Sequence, residues 1–467
     1  MRFDSFMRRR RNVIAAMACV TVAAGLTAGA AAGSSGSPGA KASPVSATVA
    51  SSGSATSGTI NWWGWTPTDE TIANGYISAF NKVYPNIKVN YKLVSITNWP
   101  SVLRPALASG TGPDVFDMQP GAYVSEFGSF AQNLTPVYQS ALGSGWKSKI
   151  APIGISGFTS SGKLTAMSVG STYAGTLWIN PALFKQYKVT PPTTLAQWVS
   201  DCAVFKAHGV GCFVQGDSQE GFDQDTLQSI ANSVQPGLWT AASKGKAKWD
   251  SPGIVKTLSI WKSLFTDGIM QSGALGYAQY PDANNAFLTG KFAMIMMGTW
   301  YMENVTQAGM TSAISAAGVA HPKPFPIESI PFPKVAGNTS AMYGDADYGL
   351  AVATTSKNQA AADTFVKWLT TSKAGQQLVA NSLEDIPSLK GVNPNFGKAK
   401  LVSPSTQEAP IEKLIKQVGS VTEPREALLS ADVQNDILAA AQSVASGSAT
   451  PAAAAQKLQS AAGTAIP

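Results

Sequence analysis

Four tryptophans set beside loops rich in Asp, Glu and Gln are the residues of this chain best suited to chemistry, and that chemistry is recognition. Flat aromatic faces cover the apolar C–H patches of a polyhydroxylated ligand, and ionised carboxylates accept its hydroxyl hydrogen bonds more strongly than neutral groups do. Trp63, Trp65, Trp239 and Trp300 are candidates for the first role. Asp117, Gln119, Asp217, Glu220, Asp223, Asp345 and Asp347 are candidates for the second, with Tyr173 and Tyr348 beside them. The alternative for each Trp is core packing, and for each acidic residue a solvated turn. No Gly-x-Ser-x-Gly nucleophile turn occurs, and sequence alone shows no carboxylate pair at the separation glycoside hydrolysis needs, so a secreted hydrolase is the rival enzyme reading. With two histidines in the chain, no metal site and no cofactor are expected. Gly344-Asp-Ala-Asp-Tyr-Gly349 lacks the spaced oxygen ligands of a calcium loop and reads as a turn.

The elements that must position these residues are those of an α/β protein. Thr59-Ile60-Asn61-Trp62-Trp63 reads as a short strand, and Gly64 frees the backbone for a loop carrying Trp65. Thr66 and Pro67 read as the cap and first residue of a helix in which Ile72, Tyr76, Phe80 and Val83 recur at helical spacing. Ile87 to Leu93 alternates apolar and polar residues, so the chain opens β-α-β, the signature of a parallel sheet. Asp114 to Asp117 predicts a strand delivering Gln119 beyond its carboxyl end, where open α/β sheets bind ligands. Phe213-Val214-Gln215 predicts another, leading into a polar loop from Gly216 to Asp225. Phe292 to Met297 is an unbroken apolar run that predicts a strand covered on both faces, and Gly298-Thr299-Trp300 follows at its carboxyl end. Pro322 to Pro333 is expected to be irregular. Asp347 to Thr354 reads as a strand, Ser356 onward as an amphipathic helix, and Ile411 to Ala462 as a helical tail broken near Gly447 to Pro451.

At 467 residues and 44% hydrophobic content the chain can build two packed lobes, while charged residues reach only 13%. A surface so rich in neutral polar groups suits neutral polar partners. Removing the five Arg and one Asp of the first 32 residues from the formal +7 leaves +3, scattered without basic stripes, which argues against nucleic acid. Arg8 to Arg11 followed by small apolar residues to Ala32 reads as an export signal, residues 1–32, and residues 33–58 as a Ser/Gly/Ala tether. A permanent anchor, a lipid on Cys19 and a twin-arginine route remain open alternatives. Cys202 and Cys212 are then the remaining cysteines in an oxidising compartment, where they either pair or stay as buried thiols.

Taken in order, several motifs together resemble those of an extracellular solute-binding protein of a sugar ABC importer, the group that includes maltose-type binding proteins. They include Thr59 to Trp65, Tyr84-Pro85, Gly112-Pro113-Asp114-Val115, Gly162-Lys163-Leu164, Leu177-Trp178-Ile179-Asn180, Pro192-Thr193-Thr194, Phe287 to Trp300 and Ser356-Lys357-Asn358. The resemblance implies a type II periplasmic-binding-protein fold, two mostly parallel α/β lobes closing on a ligand between them. It places lobe one at residues 59–170 and 350–398, and lobe two at residues 171–349 and 399–467. It also implies a monomer, an exported location, a carbohydrate ligand, and as partners a permease pair with its ATPase; a lectin without transport is a further rival. Trp300, Tyr173 and the loop after Asp114 carry the family's ligand positions. The chain departs from the family at Met167-Ser168, where a proline is common, and within Glu423 to Gln442, which holds no ligand-stacking aromatic.

Overall fold

Thr59 to Trp63 lies within strand β1 (Gly58–Gly64) of a computed structural model that describes residues 56–68, 70–219 and 221–462. The export signal and most of the tether lie outside those residues, as do Asp69 and Glu220. The chain divides into Met1–Gly53 and Ser54–Pro467, and the elements below all belong to the second unit. β1 alternates as its sequence requires, burying Ile60 and Trp62 while Thr59 and Asn61 face out. The helix Glu70–Val83 buries Ala73, Tyr76, Ile77 and Phe80, one stripe at helical spacing. β2 (Ile87–Leu93) and β3 (Val115–Met118) flank β1, both parallel to it. The helix starts at Glu70 rather than at Thr66, because the Thr66 hydroxyl is spent on the Glu384 carboxylate instead of capping a first turn.

Three short strands then carry the chain across: β4 (Met167–Ser168), β5 (Gly170–Ala174) and β6 (Thr176–Ile179). The second lobe adds β7 (Gly211–Val214), β8 (Phe292–Met296) and β9 (Glu328–Pro331). The return is made by β10 (Tyr343–Ala346) and β11 (Gly349–Val352), and a last short strand, β12 (Ile386–Pro387), revisits the crossing. The sheet order is β2-β1-β3-β11-β4 in the first lobe and β9-β6-β8-β7 in the second. In each sheet one interior strand is reversed: β11 is antiparallel to β3 and β4, and β6 to β8 and β9. The reversed strands are those that arrive straight from the crossing, without the helical connection that makes a neighbour parallel.

β10, β5 and β12 form an antiparallel sheet of their own between the lobes, so three passages of chain are hydrogen-bonded together at the crossing. One hydrophobic core gathers side chains from Ile60 to Val169 and from Ala346 to Val379. Two others gather side chains of the second lobe, including the C-terminal helices Ala431–Ala445 and Pro451–Ala462. The stretch 383–398 straddles them, with Leu383 and Phe396 on a second-lobe core and Leu389 on the first.

Three expectations need correction. The polar loop after β7 ends early, because the helix Phe222–Val234 begins inside it and is buried from Phe222 to Ser233. The proline-rich stretch contains the edge strand β9, where Pro331 is tolerated as a strand end. The helical tail is broken a second time, between the helices Pro404–Val418 and Ala431–Ala445, and that gap supplies part of the cleft.

Cys202, on the helix Leu195–Ala207, and Cys212, on β7, are joined by a disulfide with Cα atoms 4.9 Å apart. The pair closes a loop with a sequence separation of 10. Replacing both cysteines by alanine should lower the unfolding free energy by about 3 kcal/mol on the chain-entropy account. Urea denaturation of the two proteins under oxidising conditions measures the difference; equal midpoints and slopes would mean the bridge contributes nothing.

Candidate functional site

Between the lobes lies a cavity of about 380 Å³. Trp65, Thr66 and Thr68, from the turn after β1, line its first-lobe wall with Ser95, Ile96 and Thr97 after β2 and Gln119 and Tyr123 after β3. Across from them stand Gln219 and Phe222 at the start of the long buried helix, Tyr280, and Trp300 with Glu303 in the 3-10 turn after β8. Asp347 and Glu384 come from the crossing, and Arg425 and Glu426 from the gap in the C-terminal helices. These are loops at strand ends, where side chains can converge without disrupting either sheet. The walls touch: the Thr68 hydroxyl donates to Glu303 Oε1 at 2.9 Å and the Thr97 hydroxyl to Gln219 Oε1 at 3.3 Å.

Of the residues singled out from sequence, Trp65, Gln119, Asp347 and Trp300 meet on this cavity. Trp65 is held edge-on against Trp99, Tyr123 and Tyr348, with centroids 5.2, 6.0 and 6.4 Å away. Trp300 is half-buried, and the Arg425 guanidinium carbon sits 4.8 Å over its ring, covering one face. Gly298 allows that pose, because a Cβ there would overlap both the Trp300 ring and the Tyr173 carbonyl oxygen.

The others are placed behind the wall or away from it. Asp117 is fully buried and accepts from Trp62 Nε1 at 2.8 Å and from the backbone N–H groups of Trp65 and Thr66 at 3.0 and 3.3 Å. It shapes the turn that presents Trp65 and has no surface for a ligand. Asp345 accepts from the N–H groups of Arg425, Glu426 and Ala427 at 3.0, 2.6 and 2.9 Å, the same supporting role on the opposite side. Tyr173 lies in β5 with its N–H bonded to the Thr299 hydroxyl, and Tyr348 is buried behind Trp65. Trp63 is covered by Lys92, whose Nζ is 3.8 Å from its ring centroid. Trp239 is a core residue packed against Trp249, because its segment folds as the helix Leu238–Ser243 facing inward. Asp217 and Asp223 are buried beneath the cavity's edge, Asp217 accepting from Gln215 Nε2 at 2.6 Å. Glu220 lies outside the described residues.

Sequence reasoning missed Glu303, Glu384, Arg425 and Glu426. Arg425 makes a bidentate pair with Asp225, Nε to Oδ1 at 2.6 Å and Nη2 to Oδ2 at 2.9 Å, and also meets Glu426 at 2.5 Å. Burial opposes its charge, but Asp225 and Glu426 more than offset that and raise its pKa. One signal was available: Gln224, Gln228 and Asn232, four residues apart on one helix face, donate to the Arg425 carbonyl, the Pro424 carbonyl and the Glu423 carboxylate. Burial pushes Asp347 up to about 6 and Glu426 up to about 7, and lifts Glu384 well above the usual carboxylate range. Among the described residues no group of His, Cys, Asp and Glu is arranged to hold a metal ion, and no helix is long and apolar enough to cross a membrane.

Two α/β lobes joined by a three-stranded crossing, with a mixed aromatic and polar cleft between them, define a solute-binding architecture. The chain belongs to the bacterial extracellular solute-binding protein family, whose sequence profile matches residues 64–376. It is 25% identical over 308 residues to the multiple sugar-binding protein of Streptococcus mutans, covering 62% of this chain and 66% of that protein, just under two thirds of its length. Among solved structures, a Caldanaerobius polysaccharolyticus protein studied in connection with xylan utilization has a TM-score of 0.71 at 22% identity, covering 86% of this chain and 99% of its own. The maltose-bound MalE3 of T. maritima has a TM-score of 0.67 at 18% identity, covering 87% and 100%.

The geometry makes two outcomes testable. Gly298→Ala should drive Trp300 off its seat and weaken ligand binding at least as much as removing the indole, while circular dichroism stays native; an unchanged Kd would show that the ring's pose does not matter. Burial raises the pKa of Asp217 to about 7, against an unfolded value of about 4. The native state therefore holds the extra proton between those values, and stability falls as pH rises through that window. Thermal melts should show a lower Tm at pH 8 than at pH 5, and Asp217→Asn, which keeps the acceptor for Gln215, should flatten the difference and gain on the order of 1–3 kcal/mol at pH 8.

Proposed function

We propose that this chain is the extracytoplasmic solute-binding component of an ABC importer, a monomer that captures a carbohydrate between its lobes and delivers it to a membrane permease driven by an ATPase. The observation that carries this reading is the composition of the interlobe cavity. Trp65, Tyr123, Phe222, Tyr280 and Trp300 offer aromatic surface, while Gln119, Glu303, Asp347 and Glu384 offer hydrogen-bonding groups between the rings. Family membership and the likeness to a multiple sugar-binding protein support it. So do the interlobe hydrogen bonds, since contacts made only when the walls meet are what a closing ligand would stabilise. Lobe boundaries near residues 170–171, 349–350 and 398–399 fit this reading, with 383–398 shared at the crossing.

The arrangement asks for binding without turnover. The N-terminal basic and apolar stretch serves export, by cleavage or by retention at the outer face of the cytoplasmic membrane. Titration calorimetry and thermal shift against a library of mono- and oligosaccharides test the proposal: a ligand at 100 times its Kd should stabilise the protein by about 2.7 kcal/mol. Trp300→Ala should weaken binding of that ligand at least tenfold, about 1.4 kcal/mol, with the fold intact. Release of shortened products during incubation would overturn the binding reading, and unchanged affinity would remove Trp300 from the site.

A further inference from the structure

Among the described residues, carboxyl groups on the cleft wall outnumber cations. Glu303, Asp347, Glu384 and Glu426 all line it, and Arg425 is the only Lys, Arg or His side chain on it among the described residues. That guanidinium is already engaged by Asp225 through Nε and Nη2 and by Glu426 through Nη1. Four carboxyl groups thus share one cavity with a single cation, and that cation is committed to Glu426 and to Asp225 behind the wall. Glu384 is 3% exposed; its Oε1 takes the Thr66 hydroxyl and the Thr68 N–H, while its Oε2 has no hydrogen-bond partner among the described residues. Next to it, Asp385 is 2% exposed with neither carboxylate oxygen partnered.

A buried carboxylate oxygen without a partner is costly, and like charges in one desolvated space cannot all stay ionised. Burial raises the Glu384 pKa first, and repulsion from Glu303 and Asp347 adds to it. Burial likewise raises Asp385, with Asp347 and Glu384 adding. A neutral sugar would supply hydroxyl donors but no charge. An ammonium supplies three donors and a positive charge for the unpartnered Glu384 oxygen, and the rings of Trp65, Trp300 and Tyr280 on the same cavity suit a cation beside an apolar body.

Resting on the solute-binding role above, we propose that the cleft is built for a saccharide bearing a free amine, whose ammonium is held by Glu384 with Glu303 and Asp347 around it. The selectivity is electrostatic, so it separates an amino sugar from its N-acetylated counterpart of the same ring geometry. Arg425, locked to Asp225 and Glu426 and lying over Trp300, is not available to Glu384.

The test is calorimetry on the exported full chain at pH 7 with glucosamine, its β-1,4-linked dimer and trimer, and the N-acetylated counterparts of each. The amine-bearing compounds should bind tighter by about tenfold or more, with the preference shrinking as salt is raised. Glu384→Gln, which keeps an acceptor for Thr66 and Thr68, should abolish most of that preference without lowering the Tm. Equal affinity for the two series, or tighter binding of the acetylated one, overturns the proposal; if that binding still depends on Trp300, the solute-binding role stands. A preference that survives Glu384→Gln overturns the assigned seat. If no compound of either series binds, the amine proposal fails, and the wider saccharide library decides separately whether the solute-binding role fails with it.

Discussion

One buried carboxylate holds the far side of the cleft in place. Asp345, on β10 in the crossing sheet, receives three successive backbone N–H groups from Arg425, Glu426 and Ala427. A carboxylate that collects several backbone donors is fixed in orientation and fixes them in return. Without it the gap between two C-terminal helices would be an ordinary surface loop. With it, a segment from the end of the chain becomes part of the cavity floor, and Arg425 is carried to the ring of Trp300. The buried helix Phe222–Val234 completes the clamp through Gln224, Gln228 and Asn232.

The opposite wall uses the same device. Asp117, buried at the end of β3, collects the Trp62 indole N–H and two backbone N–H groups of the turn that presents Trp65. Trp65 and the Arg425 that covers Trp300 are thus each positioned by an acid that does not reach the cavity. This explains why Asp117 and Asp345, both attractive as ligand partners in sequence, are supports instead: both Asp117 oxygens and Asp345 Oδ2 are already committed to donors of the neighbouring turns. A supporting acid beneath a loop and a ligand-contacting acid on it look alike in one dimension.

What sequence could show followed from periodicity. The alternation of Ile87 to Leu93, the helical stripe of Tyr76 and Phe80, and the apolar run ending at Gly298 each report a local rule, and the strands and Trp300 came from them. Strand direction was less legible, since β6 and β11 are reversed by where they arrive from rather than by their own residues. Arg425 was legible only through the Gln224, Gln228 and Asn232 face that receives its segment, and Glu384 not at all. Arg425 pairs with Asp225, 200 positions away, and Glu384 with Thr66, 318 positions away, so no window of sequence contains either site. Trp239 failed for the opposite reason: a tryptophan near glycines is as much at home in a core as in a loop, and its helix turned it inward.

The guanidinium lying over Trp300 gives the platform a sidedness. One face of the indole is occupied by the protein itself, so a pyranose can meet the ring from one direction and cannot be sandwiched there. A ring stacked on one side offers its partner a single surface of C–H bonds, and any axial hydroxyl on that surface breaks the contact. On the proposed carbohydrate-binding role, the configuration of the sugar's carbons, rather than its size alone, would therefore be read at Trp300, and Arg425 sets which face of the ring is open.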